Sequence, residues 1–191
     1  METLYSIAPL LSNKIMRLAL DYSLKNVNPL AVDDEAFTPP DFLRRFEYTL
    51  YQGRLLDMIP IVNGISWQIF SPRIIKIIRT FCREDEVELL PLPVEENGPS
   101  RCLNGYSVLG VKRRVKCLDL DASEYRRNPE YISALYKCVI KESAVPADLN
   151  CFMIKEYPAF QVFRATLANS IMALRPTGFS FERIETSCTY I

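Results

Sequence analysis

The pattern of apolar and polar residues along the chain is clearest at residues 71–81, where it predicts an amphipathic helix. Ile74, Ile77, Ile78 and Phe81 recur at helical spacing, and the positions between them are mostly basic or polar. A serine followed by a proline opens the segment, which is typical of a helix start because the first N–H groups of a helix lack partners inside it.

Strands are predicted where short runs of β-branched and apolar residues lie between turn signals. The predicted strands are 65–70, 87–90, 106–111, 115–120, 135–141, 150–154 and 179–182. The stretch before residue 65 contains helical spacing at Leu11, Ile15, Leu18 and Tyr22, and a short helix could open at Thr38.

The first strand and helix have a counterpart 93 residues later. Gln68-Ile69-Phe70 corresponds to Gln161-Val162-Phe163, and Ile74 corresponds to Leu167. The pattern predicts an α+β fold with a mixed or antiparallel sheet, amphipathic helices and two related strand–helix–strand units. The alternative is a chance similarity between two amphipathic helices. No linker or low-complexity tract divides the chain, so residues 1–191 are predicted to form a single domain.

Charge balance limits the partners that this chain is expected to have. Lys plus Arg and Asp plus Glu both number 23, so the formal net charge is zero, whereas general nucleic-acid binders usually carry a basic excess. No apolar run is long enough to span a bilayer, and Glu2 stands where an export signal would be basic. We therefore expect a cytoplasmic protein that binds neither nucleic acid nor membrane.

The residues needed for the commonest catalytic and metal sites are missing. The chain contains no histidine, which removes Ser–His–Asp and Cys–His nucleophiles and the usual zinc and iron ligand sets. Six cysteines occur without C-x-x-C spacing, and six glycines form no phosphate-binding loop. We expect no cofactor and no metal, with the cysteines buried as reduced thiols.

One group of carboxylates could still support catalysis. Asp119 and Asp121 would share a face of an extended segment, with Glu124 close behind, and two acids suffice for glycoside hydrolysis. The alternative is that these aspartates end a strand and accept hydrogen bonds from turn N–H groups. The second interpretation is favoured, so no catalytic residue is assigned.

Two charge clusters stand out from the neutral background. An acidic segment contains Glu84, Asp85, Glu86 and Glu88, and a basic turn spans 112–114. Most such runs are solvated surface. The basic turn lacks the interleaved aromatic residues that would stack on bases.

Three segments, taken in order, resemble one known family. The first is the serine-capped helix followed by Asp-Glu-Val-Glu-Leu-Leu-Pro at 85–91. The second is the strand at 106–111 followed by 115–125, which contains Leu-Asp-Leu-Asp-Ala-Ser-Glu-Tyr. The third begins at 151–154 and closes with Thr-Gly-Phe-Ser-Phe at 177–181. Together they resemble a family of bacterial polymorphic-toxin immunity proteins, the myxobacterial-type immunity domain formerly described as a domain of unknown function.

The resemblance covers residues 64–184 and implies a function without catalysis or cofactor. A member would neutralise a cognate toxin domain, encoded by an adjacent gene, through direct stoichiometric binding. An acidic surface would suit a toxin with a basic substrate cleft, so Glu84, Asp85, Glu86 and Glu88 are the predicted partner-binding residues. The alternatives are a carboxylate-dependent enzyme acting on a carbohydrate or nucleotide, and an adaptor of a secretion system.

Overall fold

The computed structural model describes residues 3–9, 18–19, 55–62, 68–92 and 103–187. Two α-helices are present in these ranges, α1 (Pro72–Phe81) and α2 (Ala165–Met172), and a 3₁₀ turn spans Glu142–Ala144. The strands are β1 (Leu4–Pro9), β2 (Leu18–Ala19), β3 (Met58–Val62), β4 (Gln68–Phe70), β5 (Val87–Pro91), β6 (Ser107–Val111), β7 (Arg114–Val115), β8 (Glu124–Arg127), β9 (Ile132–Lys137), β10 (Val139–Lys141), β11 (Cys151–Ile154), β12 (Tyr157–Arg164) and β13 (Phe179–Ser187). The fold is α+β, as the sequence predicts.

Helix α1 forms where the amphipathic pattern places it. Ile74, Ile75 and Ile78 are buried, whereas Ile77 and Phe81 are only partly buried. The buried face is thus rotated slightly toward Ile75 relative to the predicted face. Burial of this apolar face, rather than helix propensity alone, stabilises a helix that is so short.

The serine that opens α1 does not cap it in the predicted way. The Ser71 carbonyl accepts the first helical N–H groups, but its hydroxyl donates instead to Asp57 Oδ1 at 2.8 Å. At the equivalent start of α2, Arg164 is buried and its Nε donates to the Leu149 carbonyl at 2.6 Å. Both helix starts are therefore fixed by tertiary contacts and not by a local side-chain cap.

The strands form two large sheets and one small one. The five-stranded sheet has the order β2-β3-β4-β6-β5, and the six-stranded sheet has the order β10-β13-β1-β12-β11-β7. Strands β8 and β9 pair only with each other. Most neighbours are antiparallel, but β2 with β3, β7 with β11 and β10 with β13 are parallel.

The two large sheets share one plan, which agrees with the predicted repeat. In each sheet a parallel pair is followed by three antiparallel pairs, in the orders β2-β3-β4-β6-β5 and β7-β11-β12-β1-β13. The hairpins also share their register. Met58 pairs with Phe70 in one, and Cys151 pairs with Phe163 in the other, at the same offset of 93 residues.

The two repeats exchange their first strands. We call the segment β1–β5 the N-terminal repeat and the segment β6–β13 the C-terminal repeat. Strand β1 lies between β12 and β13 in the sheet of the C-terminal repeat, whereas β6 lies between β4 and β5 in the sheet of the N-terminal repeat. Each sheet is consequently completed by a strand from the other repeat.

The main core forms where α1 and α2 pack together against both sheets. Ile74 and Leu167, the pair predicted to be equivalent, are both fully buried in it, together with Phe70 and Phe163. A second core, around Phe152, covers the opposite face of the six-stranded sheet.

A buried carboxylate joins the N-terminal repeat to the C-terminal repeat. Asp57 precedes β3 and is 5 % exposed. Its carboxylate accepts hydrogen bonds from Ser71 Oγ, from the Arg73 guanidinium, and from Thr177 N and Oγ1 at 2.8 and 2.9 Å. Arg73 also donates to the carbonyl of Leu174, just after α2. We call this cluster the Asp57 joint.

Close backbone approach beside this joint requires a glycine. Gly178 has φ +93°, and a Cβ at this position would lie 2.5 Å from the Met58 carbonyl oxygen. A side chain there would be strained in conformation and would collide with the backbone of β3.

Several predicted elements differ from the structure. Leu18 lies in a strand and not in the predicted helix. The other residues whose spacing predicts that helix, and the short helix predicted to open at Thr38, lie outside the described residues. The strand predicted at 115–120 is only β7 followed by an isolated bridge between Leu118 and Ile140, and the strand predicted at 135–141 breaks at Cys138. Among the described residues, no helix is long and apolar enough to cross a bilayer.

Candidate partner-binding surface

The predicted acidic segment and the predicted basic turn lie together. Strands β5 and β6 are neighbours, so the residues before β5 face the turn that follows β6. The Asp85 carboxylate accepts hydrogen bonds from Arg83 Nε at 2.9 Å and from Arg113 Nη1 at 3.0 Å. Lys112 Nζ donates a hydrogen bond to the Glu84 carbonyl at 2.9 Å. The hydrogen bond from Arg83 and the charge of Arg113 lower the pKa of the Asp85 carboxyl. The two clusters therefore form one surface of mixed charge.

Glu86 is a correction to the predicted site, because its side chain is fully buried. Its Oε2 accepts hydrogen bonds from the backbone N–H groups of Asn150 and Cys151, at 2.8 and 3.2 Å. Asn150 in turn donates its amide Nδ2 to the Phe81 carbonyl at the end of α1. This cluster, which we call the Asn150 joint, occupies the place in the C-terminal repeat that the Asp57 joint occupies in the N-terminal repeat.

The other predicted partner-binding acids remain accessible to differing degrees. Glu84 is exposed and Glu88 is partly buried, and neither side chain forms an ion pair with another described residue. Asp85 is half exposed, but its charge is already paired. Of the four acids, only Glu84 and Glu88 offer a charge that no other described residue compensates.

A second candidate surface, which the sequence analysis missed, is the β8–β9 hairpin. Its inner side is held by Tyr125, Ile132 and Leu135, which pack into the second core. Tyr131 and Tyr136 are 49 % and 68 % exposed. The turn closes through a hydrogen bond from Asn128 N to the Tyr131 carbonyl, and the Asn128-Pro129 dipeptide is the signal from which it could have been found.

The hairpin also carries exposed arginines beside the tyrosines. Arg126 and Arg127 are exposed on β8, and Arg126 Nε contacts Ser133 Oγ across the pair. Lys137 at the end of β9 forms a salt bridge of 2.9 Å with Glu185 on β13, which ties the hairpin to the six-stranded sheet. Exposed tyrosine and arginine on a fixed support is the composition that dominates binding energy in protein interfaces.

Asp119 is engaged within the fold. Its Oδ2 accepts Ser187 Oγ at 2.6 Å, and its Oδ1 accepts the Asp121 N–H at 3.2 Å. These hydrogen bonds, that from Ser187 first, lower the pKa of the Asp119 carboxyl. Asp119 thus accepts a hydrogen bond from a turn N–H group, as the favoured interpretation predicts. Asp121 and Glu124 are exposed.

The described cysteines are free thiols that burial makes less acidic. Burial raises the pKa of Cys82, Cys117 and Cys138 to about 12, and raises that of Cys151 well above its usual value. Cys102 and Cys188 lie outside the described residues. Within those ranges, no three Cys, Asp or Glu side chains converge as metal ligands would.

No protein-family model matches this sequence, and no curated protein matches it significantly. The family resemblance stated above therefore stays a prediction.

Proposed function

We propose that this chain is an immunity protein that neutralises a cognate bacterial toxin in the cytoplasm by stoichiometric binding, without catalysis. The order of the three motifs within residues 64–184 supports the proposal. The toxin would be a domain encoded by the adjacent gene.

The β8–β9 hairpin is the structural observation that carries this proposal. Tyr131 and Tyr136 expose large ring surfaces whose burial by a partner would be favourable, since aromatic side chains lose little conformational entropy on binding. Anchoring through the second core means that the hairpin need not be ordered on binding, which preserves affinity. Arg126 and Arg127 add donors suited to carboxylates on the partner.

Glu84, Asp85 and Glu88 form a second proposed contact, now without Glu86. Uncompensated charges at an interface speed encounter and fix register more than they add affinity. We accordingly assign the larger share of the binding energy to the hairpin and a steering role to Glu84 and Glu88, since Asp85 is already paired.

Co-expression with the adjacent toxin domain in a bacterial host tests the proposal. Wild type should restore growth, and the purified proteins should form a complex of fixed stoichiometry. Tyr131→Ala with Tyr136→Ala should weaken the complex by at least about tenfold, because interface tyrosines commonly contribute ~1–2 kcal/mol or more each. Leu120→Ala, which removes another exposed apolar side chain, is the matched control and should leave affinity unchanged.

The acidic contact is tested in the same assay by Glu84→Lys with Glu88→Lys. This variant keeps the buried Glu86, so it should fold normally, bind more slowly and lose its sensitivity to salt. Failure of wild type to protect against, or to bind, the adjacent toxin would refute the immunity function. Unchanged binding of the tyrosine variant would remove only the hairpin from the interface.

A further inference from the structure

A groove of about 460 Å³ lies where α1 meets β5 and β6. This volume falls within the range of ~300–1,000 Å³ that is typical of ligand sites. Helix α1 contributes Lys76, Arg79 and Thr80 to the lining, and the strands contribute Pro91 and Ser107. None of the described residues that line it is aromatic.

Two positive charges that no described residue compensates border this groove. Lys76 and Arg79 are exposed, and neither side chain forms a hydrogen bond or ion pair with another described residue. The third cation of α1, Arg73, is by contrast committed to the Asp57 joint. Helix α1 contains no acidic residue that could neutralise the free pair.

The groove also contains a hydroxyl that the fold does not use. Ser107 is 4 % exposed and lines the groove, yet its side chain forms no hydrogen bond with another described residue. Although the residue is largely buried, its hydroxyl oxygen is not enclosed, so a ligand in the groove can accept a hydrogen bond from it.

The repeat shows that the fold itself does not require these cations. At the offset of 93 residues, Lys76 corresponds to Asn169 and Arg79 corresponds to Met172 in α2. Helix α2 forms and packs with neither charge. The pair on α1 is thus a feature of its exposed face and not of helix packing.

We infer that this groove binds an extended acidic segment of a partner protein, with two carboxylates against Lys76 and Arg79 and one of them accepting a hydrogen bond from Ser107 Oγ. The cations are three residues apart, which is about 4.5 Å along a helix. Alternate residues of an extended peptide are separated by about 6.6 Å and project to the same side, a distance that flexible lysine and arginine side chains can match. The inference does not depend on toxin neutralisation.

A single-stranded nucleic acid is the competing occupant, and the lining disfavours it. Proteins that hold single strands combine basic residues with aromatic platforms for the bases. Here the described lining combines the cations with proline, serine and other non-aromatic residues, which suit the backbone and side chains of a peptide.

Fluorescence anisotropy with a labelled peptide of alternating glutamate and leucine tests the inference on the full chain. We expect saturable binding that weakens as salt is raised. Lys76→Glu with Arg79→Glu should weaken it at least about tenfold, since attraction becomes repulsion at both positions. Lys116→Glu with Lys155→Glu makes the same change in net charge away from the groove and should bind as wild type does.

Two uncharged substitutions separate recognition by the groove from general electrostatics. Thr80→Trp fills the groove and Ser107→Ala removes its free donor; both should weaken binding of the peptide without changing net charge. Equal binding by wild type and the Lys76/Arg79 variant would overturn the inference. Tighter binding of an oligothymidylate of equal charge would overturn it in favour of a nucleic acid.

Discussion

Asp57 and Glu86 are acids of the N-terminal repeat whose side chains are almost completely buried. Each accepts at least one hydrogen bond from a donor in the C-terminal repeat. A carboxylate is costly to bury unless donors surround it. Asp57 meets this condition with a guanidinium, two hydroxyls and a backbone N–H. Glu86 meets it mainly with backbone N–H groups. These two residues fix the repeats relative to one another.

Stability at low pH should depend on Asp57. Burial acts to raise the pKa of Asp57, but the hydrogen bonds from Arg73, Ser71 and Thr177 outweigh it and hold the pKa well below its usual range. An unfolded aspartate titrates near pH ~3.9. The stabilisation is therefore fully present above that pH and is lost as the pH falls toward the lower folded-state pKa.

Asp57→Asn should accordingly reduce the free energy of unfolding by about 1–3 kcal/mol at neutral pH, and by clearly less near pH ~3. Urea denaturation of wild type and variant at both pH values measures the difference. Asp121→Asn, a change at an exposed carboxylate, should cost under ~0.5 kcal/mol at either pH. A cost for Asp57→Asn that is the same at both pH values would contradict the assigned role.

Glu86 shows why single residues of the site could not be assigned from the sequence. It lies among acids of identical type, and only the position of Asn150, 64 residues further along the chain, determines that it is buried. The neutralisation of Asp85 by Arg113 likewise depends on the pairing of β5 with β6. Local composition indicates which residues are charged, but it does not indicate which charged residues contact one another in the folded chain.

Helix α1 is the element that connects the core to the groove and to the acidic segment. Its inner face holds Ile74, Ile75 and Ile78 in the main core, and its outer face carries Lys76 and Arg79. The acidic segment begins at Glu84, three residues after Phe81, the last residue of α1. Loss of packing at this helix would therefore disturb both surfaces.

Ile78→Ala should lower the free energy of unfolding by about 2–5 kcal/mol, since the side chain is fully buried and its removal leaves a cavity. Ile77→Ala makes the same chemical change on a partly buried side chain, and we expect a clearly smaller cost. Thermal or urea denaturation distinguishes the two variants. Equal costs would mean that the buried face has been assigned to the wrong side of the helix.

Elements with a strong local period were predictable, and elements defined by distant pairing were not. Helix α1 and strands β5, β6 and β11 lie within a residue or two of their predicted bounds. Residues 115–120 were predicted as a strand because Val115, Cys117 and Leu118 are apolar; they are indeed buried, but most of them do not join a ladder. Strand β1 was missed because its partners, β12 and β13, lie far along the chain. Strand β8 has a local partner, β9, and was missed although Asn128-Pro129 marks the turn between them.

At the scale of the whole molecule, the exchange of β1 and β6 makes each large sheet depend on both repeats. Each four-stranded antiparallel core, β3-β4-β6-β5 or β11-β12-β1-β13, contains one strand that its own repeat does not supply. A repeat on its own would leave the ladder edges of β4 and β5, or of β12 and β13, unpaired. The segment 64–184 that carries the resemblance lacks β1 and is therefore not expected to be a complete folding unit.

Separate expression of residues 1–99 and 100–191 should yield two fragments without cooperative unfolding transitions, because each would have to bury apolar strands beside a missing neighbour. Mixing or co-expressing them should restore a folded complex that co-purifies. Circular dichroism and size-exclusion chromatography provide the readouts. A cooperative melting transition from either fragment alone would show that its repeat is self-sufficient.

The pairing of β1 also has a consequence in time. Leu4 pairs with Arg164 on one side and with Ile184 on the other, so β1 leaves the ribosome well before either of its partner strands has been synthesised. At typical synthesis rates of ~5–20 residues per second, the delay is roughly 10–40 s. During this interval β1 presents open ladder edges, and its long sequence separation also slows folding of the finished chain. Nascent chains of this protein are thus expected to need protection from aggregation until β12 and β13 have been synthesised.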